Sequence, residues 1–435
     1  MLVEGWVWRA ARRWPERVAV ETVERSISYR ELDRLAAAGA RELAVAPGSR
    51  VAIALAPGLD FVVALHACLL AGAVAVPLDL RDPPAARRLR ASDAIVEQPL
   101  SCTGAPLSED ACHELDATAL IVRTSGTSGD PKEVSLTYGN FLWSAIGSAV
   151  ALGLDPRERW LCTLPLVHVG GLSIVLRSAI YGTSAVVHER FDVHAALEAL
   201  IEREITLVSV VATTLGRLLD EGLARPPALR CALAGGGPVP AALLARARDA
   251  GVVVSQTYGL TEACSQVATQ APGDTAPAAG PPLFCTRVAL APDGEILVGG
   301  PTVSPSVAGG TLATGDLGEL VADGSLRVIG RKSDAIISGG ENIAPSQVEV
   351  VLEEHPAVVE AAVFAVADAH WGESVHALVV TRQPVSAAEL RDHCGRRLAA
   401  FKVPKSIAFT DALPRTASGK LQRSRLAIDL GRTKS

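Results

Sequence analysis

The sequence is poor in the features that mark several large classes of protein. Its 435 residues include only eight cysteines, and the closest pair, Cys102 and Cys112, stand ten apart, so no CxxC pair exists for zinc or dithiol chemistry. Basic residues are not in excess: 41 lysines and arginines against 47 acids leave a net charge of −6, with no electrostatic footprint for coating DNA or RNA. The first nine residues, Met-Leu-Val-Glu-Gly-Trp-Val-Trp-Arg, are charged and aromatic and lack the apolar core of a signal peptide. No GxSxG supports a serine hydrolase, and neither an internal repeat nor a low-complexity segment occurs. These absences predict a cytoplasmic protein without a nucleic-acid partner.

What is present is ample core material. Hydrophobic residues make up 49% and charged residues 20%, which excludes a disordered chain. At roughly 150 residues per domain, the length predicts two or three domains. The apolar run from Phe61 to Leu78 reaches membrane-spanning length, with His66 its only titratable group. Gly72 and Pro77 interrupt it, and Asp60 and Asp79 flank it where a cytosolic membrane border favours Lys and Arg. It reads instead as strand 51–55, helix 59–71 and strand 73–78, with no integral membrane segment.

Across the first three quarters, short β-branched runs (51–55, 119–122, 206–211, 252–254) alternate with helical patterns (29–43, 194–203, 213–223, 240–250). This alternation predicts α/β architecture with parallel sheets covered on both faces. From about 280, short strands such as 295–298 and 325–329 suggest a smaller β-rich part. Beyond a turn-rich junction at 330–340, helix 345–355, strands 358–366 and 374–381 and helix 386–400 form a compact α+β piece. The domain boundary is expected near Gly330–Asp334, giving domains 1–330 and 331–435. Segment 81–118 is irregular.

Four groups of residues carry chemistry. Thr124-Ser-Gly-Thr-Ser-Gly-Asp-Pro-Lys132 follows a strand, and its glycines, hydroxyls and lysine suit an anion-binding nest. Its spacing is not that of the GxxxxGK[ST] loop. Tyr258-Gly-Leu-Thr-Glu262 places a ring, a hydroxyl and a carboxylate after the strand 252–254, where open α/β sheets put ligands; alone, it reads equally as a capped helix start. Gly235-Gly-Gly-Pro238 alone reads as a turn. Thr314-Gly-Asp316, Gly330-Arg-Lys-Ser-Asp334 and Ser338-Gly-Gly-Glu-Asn-Ile343 include an aspartate and an arginine suited to ribose hydroxyls. Pro414-Arg-Thr-Ala-Ser-Gly-Lys420 in isolation is a solvated loop.

In this order and wording, the motifs resemble the adenylate-forming superfamily of acyl-CoA synthetases, peptide-synthetase adenylation domains and luciferases, over nearly the whole chain. Leu164-Pro-Leu-Val-His-Val-Gly-Gly-Leu172, Arg177-Ser-Ala-Ile-Tyr-Gly182, Thr137–Ser144, Val187–Asp192 and Thr261–Gln266 resemble its o-succinylbenzoate–CoA ligase branch. The resemblance implies a large N-terminal domain of parallel αβα sheets with a β-rich subdomain, and a small mobile α+β C-terminal domain. It implies ATP, Mg²⁺ and CoA, and an aromatic carboxylic acid converted through an acyl-adenylate to its CoA thioester in menaquinone biosynthesis.

Carried over residue by residue, Thr124, Ser125, Gly126, Thr127, Ser128, Gly129 and Lys132 would cradle the β- and γ-phosphates. Glu262 and Thr127 would position Mg²⁺, and Thr261 would bond the α-phosphate. Gly235, Gly236, Gly237 and Tyr258 would enclose adenine, while Asp316 and Arg331 would bind the ribose. Lys420 would bridge the acyl carboxylate and α-phosphate, where transition-state charge builds. His168 would stand beside the acyl carboxylate and thiol path, a position a core histidine could also fill. Ser265 and Gln266 would flank the aromatic acyl group, unless they only pack there. Ser338, Gly339 and Gly340 would wall the pantetheine, and Ser333 would be the hinge, where many members carry Asp or Lys. Asp130 and Glu133 depart from the usual phosphate loop and should weaken phosphate binding unless they point outward. Other readings are a ligase for another aryl or acyl acid, an adenylation enzyme loading a carrier protein, and a non-catalytic nucleotide-binding protein.

Overall fold

The computed structural model describes residues 1–82, 92–103, 111–124, 132–368, 370–415, 421–423 and 425–426. The chain divides into two compact units. One comprises Met1–Val288, Leu297–Leu312 and Ala322–Leu326; the other comprises Ala289–Ile296, Ala313–Val321 and the chain from Arg327 onward.

The first unit contains two large sheets. One has five strands in the spatial order Ala94–Val96, Arg50–Ile53, Val74–Pro77, Thr118–Thr124 and Lys132–Thr137. The first four are parallel and the last returns antiparallel. The other has eight, in the order Ser265–Thr269, Val254–Leu260, Cys231–Ala234, Leu207–Val210, Arg159–Cys162, Ser184–Val187, Val18–Glu21 and Ser26–Ser28. Its interior is parallel and each edge is an antiparallel hairpin arm.

Local chemistry sets these elements. Helix Tyr29–Leu43 begins at Ser28, whose hydroxyl accepts the Glu31 N–H, and stops at Ala44 in the left-handed region. The alarming apolar run is strand, helix and strand as expected: helix Leu59–Leu70 is the crossover between Arg50–Ile53 and Val74–Pro77, and every residue from Phe61 to Leu69 is buried. All-round apolarity here reflects burial on all sides. No helix among the described residues is long and apolar enough to cross a membrane.

The β-rich part is a four-stranded sheet in the order Arg287–Leu290, Glu295–Gly299, Thr311–Leu320 and Leu326–Arg331. In the second unit, a further sheet runs Glu341–Ile343, Ile336–Ser338, Gly372–Thr381 and Val358–Asp368, with Ser406–Phe409 parallel to Gly372–Thr381. Helices Pro345–Glu353 and Ala387–Gly395 contribute Val348, Leu352 and Leu390 to its core alongside Ile336, Val363 and Val375.

Two expectations need correction. The strand expected at 252–254 is Val254–Leu260, so Tyr258 lies within the strand and not beyond it. The polar run Ser255–Tyr258 hid it from a search for β-branched residues. The helix expected over 386–400 ends at Gly395 and gives way to a single 3₁₀ turn at Ala400–Lys402; glycine is a poor helix former, by about 1 kcal/mol.

Candidate active site

The phosphate-loop segment joins two antiparallel strands. Thr124 pairs with Lys132 and Arg123 with Glu133. The Thr124 hydroxyl donates to the Lys132 carbonyl at 3.5 Å. Glu133 stands 3.4 Å from Arg50 Nη1 and 3.9 Å from Arg123 Nε, so two guanidiniums offset the departure noted at this position. Ser125, Gly126, Thr127, Ser128, Gly129 and Asp130 lie outside the described residues, as does Lys420.

Strand Val254–Leu260 leads into a single 3₁₀ turn, Thr261–Ala263, and returns as Ser265–Thr269. No helix starts here and no side chain caps the turn, which removes the capped-helix reading. Cys264 and Ser265 both take positive φ, 52° and 88°. The register slips between Tyr258 and Gly259, and a Cβ on Gly259 would lie 1.7 Å from the Ser265 carbonyl oxygen, so only glycine fits. The turn presents Thr261 and Glu262, both half-buried. Its backbone is tied to the phosphate hairpin: the Ser304 N–H bonds the Glu262 carbonyl at 2.8 Å, and the Ser304 hydroxyl donates to the Ser135 carbonyl at 2.6 Å. The Asn140 amide nitrogen fixes the approach of that segment by donating to the carbonyls of Pro301 and Val303. A half-buried carboxylate on a turn tied to strand Lys132–Thr137 is an oxygen donor suited to Mg²⁺.

Gly235–Gly237 follows strand Cys231–Ala234, and the Gly235 N–H bonds the Val210 carbonyl at 3.1 Å. A Cβ on Gly235 would lie 2.8 Å from Thr257 Cγ2, so this glycine keeps the turn close to Val254–Leu260, where Tyr258 sits. Ser265 is half-buried. Gln266 is buried, with Nε2 donating to Thr269 Oγ1 at 2.9 Å and Oε1 unpartnered.

His168 begins helix Val169–Tyr181, caps nothing with its side chain and is exposed, so it is not a core histidine. Crowding by surrounding protein, then the charge of Arg81, lowers its pKa, while Asp79 opposes them. The ring is therefore neutral at pH 7. Arg81 forks onto Asp79, with Nε 2.9 and 3.1 Å from the two carboxylate oxygens. In the sequence Asp79 stood out only as a flank of the apolar run, and Arg81 not at all.

Arg177, on the same helix, is 2% exposed. Its Nη2 donates to Ser144 Oγ at 2.9 Å, Ser144 Oγ donates to the Cys264 carbonyl at 2.7 Å, and the guanidinium lies 5.8 Å from the Trp160 ring centroid. Nε has no partner. Among the described residues no carboxylate pairs with it, an arrangement that favours an anion brought from outside. Sequence reasoning quoted this arginine in a motif and gave it no role. The available signal was its standing as the only charged residue of helix Val169–Tyr181.

In the second unit, Asp316 and Arg331 come together: Arg331 Nε lies 2.9 Å from Asp316 Oδ1, and Nη1 donates to the Thr314 carbonyl. Asp316 is 6% exposed. Glu295 bonds the Gly315 N–H and the Lys332 ammonium with its two oxygens. Ser333 follows in the turn Lys332–Asp334. Gly339 and Gly340 take φ of 61° and 85° in the turn between Ile336–Ser338 and Glu341–Ile343, and Ser338 is buried.

The first unit's open α/β sheets bear glycine, hydroxyl and carboxylate turns at their strand ends, and the second unit holds an Asp–Arg pair across two adjacent strands, a donor set suited to an enzyme that activates its substrate with a nucleotide. The chain belongs to the AMP-binding enzyme family: residues 7–98 and 93–307 match that family, and residues 347–420 match the AMP-binding enzyme C-terminal domain. The 2-succinylbenzoate–CoA ligase of Bacillus subtilis (strain 168) is 39% identical over 98% of both chains. That of Geobacillus kaustophilus (strain HTA426) is 39% identical over 97% of each. Among solved structures, o-succinylbenzoate CoA synthetase (MenE) from Bacillus subtilis with the acyl-adenylate intermediate OSB-AMP superposes with a TM-score of 0.87 at 38% identity, covering 98% of each chain. Its complex with ATP and magnesium ion also gives 0.87, covering 98% of this chain and 100% of that one. ATP-bound MatB from Rhodopseudomonas palustris gives 0.88 at 25% identity, covering 98% and 99%.

Proposed function

We propose that the protein is an ATP-dependent acid–CoA ligase that converts 2-succinylbenzoate, ATP and CoA to 2-succinylbenzoyl-CoA, AMP and diphosphate through an acyl-adenylate, in menaquinone biosynthesis. The observation that carries the acyl assignment is Arg177. A buried guanidinium with no carboxylate partner among the described residues, two hydrogen bonds from the Cys264 carbonyl, suits a substrate that keeps a second carboxylate after the first is activated. The eight free cysteines fit a reducing cytoplasm.

Residues 1–330 bind ATP and the acid, and residues 331–435 form the mobile domain that carries the catalytic lysine. Thr124 to Gly129 and Lys132 hold the β- and γ-phosphates, and Thr261 holds the α-phosphate. Glu262 and Thr127 would hold Mg²⁺, whose charge would offset the repulsion between the incoming carboxylate and the triphosphate. Lys420 would bridge the acyl carboxylate and the α-phosphate, an interaction most favourable in the pentavalent transition state, where negative charge is concentrated. Tyr258 and Gly235–Gly237 orient adenine, and Asp316 with Arg331 orients the ribose. Neutral His168 lines the path by which the CoA thiol reaches the acyl carbon, and Ser265 and Gln266 border the aromatic ring. Ser333 is the hinge between half-reactions, and Ser338–Gly340 walls the pantetheine.

Acid-dependent pyrophosphate release tests this reading over a panel of o-succinylbenzoate, benzoate, a medium-chain fatty acid and several amino acids, with and without CoA. Turnover confined to o-succinylbenzoate, with AMP and thioester as products, is expected. Turnover of another acid would keep the chemistry and overturn the pathway. Loading of a phosphopantetheinyl protein in preference to CoA would make it an adenylation enzyme, and silence across the panel would leave a nucleotide-binding protein.

A further inference from the structure

Ser333 is joined to Asp334, whose carboxylate faces two ways: Oδ1 accepts the Ser333 hydroxyl at 3.2 Å, and Oδ2 lies 3.2 Å from Arg423 Nε. Every nitrogen of the Arg423 guanidinium has a partner. Its Nη1 donates to Glu349 Oε1 at 2.6 Å and to the Val363 carbonyl at 2.7 Å, and its Nη2 donates to Glu349 Oε2 at 3.0 Å. Glu349 is 9% exposed and also accepts the Val363 N–H at 2.8 Å, so the chain of bonds ends in the folded core of the unit. Arg423 stands three residues beyond Lys420. The arms around that segment are closed on each other: Arg415 bridges Leu421, the Gln422 N–H bonds the Pro414 carbonyl at 2.9 Å, and Arg415 pairs with Glu360.

We infer that Arg423 is a positioning residue for adenylation. By holding Glu349 with one edge of its guanidinium and Asp334 with Nε, it fixes the stem that carries Lys420 and joins that stem to the turn containing Ser333. Only a planar fork with several donors satisfies both carboxylates and the Val363 carbonyl together, which is the argument for arginine over lysine. The inference rests on the proposed roles of Lys420 and Ser333.

The test separates the half-reactions in the full-length chain. Acid-dependent ATP–pyrophosphate exchange reports adenylation, and thioester formation from supplied acyl-adenylate reports the second step, for Lys420→Ala, Arg423→Ala, Arg423→Lys and Asp334→Asn. Lys420→Ala should lose adenylation alone; if it does not, the role of Lys420 is wrong and the inference falls with it. Given that control, Arg423→Ala and Asp334→Asn should lower exchange on the order of 10–100-fold, the usual result of a small misplacement of a catalytic group. The second step should stay near the parent rate, and Arg423→Lys should recover only part of the loss. Equal losses in both half-reactions, or unchanged exchange, would overturn the assignment. Asp334→Asn leaves the Arg423–Glu349 pair in place and decides the matter if Arg423→Ala does not fold.

Discussion

The backbone N–H of Ser304 bonds the carbonyl oxygen of Glu262 at 2.8 Å while the Ser304 hydroxyl reaches the Ser135 carbonyl, so one residue fastens the carboxylate-bearing turn to the returning arm of the phosphate hairpin. The two variants at this link should differ in size. Glu262→Gln removes the negative charge and one of the two oxygens offered to the metal, and should raise the Mg²⁺ needed for half-maximal pyrophosphate release on the order of 10–100-fold. Ser304→Ala removes one hydroxyl bond, about 1 kcal/mol, and keeps the N–H. It should shift the Mg²⁺ titration by less than about tenfold. A larger effect at Ser304 than at Glu262 would reverse the assignment.

Gly259 and Gly237 make a matched pair. A Cβ at Gly259 meets the Ser265 carbonyl at 1.7 Å, whereas one at Gly237 meets nothing within 4 Å. Gly259→Ala should lower stability by about 3 kcal/mol, since a packed hairpin must open to admit the methyl group. Gly237→Ala should leave the urea midpoint unchanged. Equal midpoints for the two variants would mean that the hairpin yields more easily than its packing indicates.

The sequence made the framework legible wherever burial dictated residue type. Helix Tyr29–Leu43 was visible from its apolar spacing, and strand Leu207–Val210, buried inside its sheet, from the β-branched run 206–211. Val254–Leu260 was half lost because its second half, which runs into the Thr261–Ala263 turn, carries Ser, Gln, Thr and Tyr in place of Val and Ile. The chemical vocabulary of the site could be read from local motifs. Its supports could not: Ser304 to Glu262, Arg81 to Asp79 beside His168, and Arg423 to Asp334. These links join residues from separate motifs, or residues that no motif contains, and only folding brings them together.

Arg177→Met separates substrate recognition from folding. Replacing a buried charge by an apolar side chain of similar length is often neutral or stabilising by roughly 1–4 kcal/mol. The melting temperature should therefore hold or rise. Pyrophosphate release with o-succinylbenzoate should fall by about 100-fold, the cost of an unmatched carboxylate at roughly 3 kcal/mol. Any weak turnover of a monocarboxylic analogue should be spared. Unaltered discrimination between the two acids would remove Arg177 from the acyl site.

Two buried histidines set an acid limit on stability. Burial, then the charge of His113, pushes His66 down to about 3, and burial pushes His113 down to about 4. In the unfolded chain both titrate near 6.5, so below that pH the unfolded state binds protons that the folded state refuses. Their stabilising contribution is complete above pH 6.5 and is lost progressively down to about pH 4 for His113 and about pH 3 for His66. At pH 5 the loss is roughly 2 kcal/mol per histidine. Over the same window the carboxyls of Asp33 and Glu353, raised by burial to about 6 and about 7, act in the opposite sense, so the test compares variant with parent. Between pH 7.5 and pH 5, the urea midpoint of His113→Gln should fall less, or rise more, than that of the parent by roughly one histidine's share; the same pH dependence in both would show that His113 does not resist protonation.

The edge hairpin Val18–Glu21 and Ser26–Ser28 joins the eight-stranded sheet through Ser184–Val187, with Val20 opposite Ala185, and the Tyr29 hydroxyl bonds the carbonyls of Ser178 and Thr183. During synthesis the opening segment therefore leaves the ribosome long before the strand that receives it has been made. Its apolar positions, Ala19, Val20 and Ile27, must wait unpaired while the intervening chain emerges. This sheet consequently cannot be finished in the order in which it is translated, and the nascent chain is most exposed to misassociation over that interval.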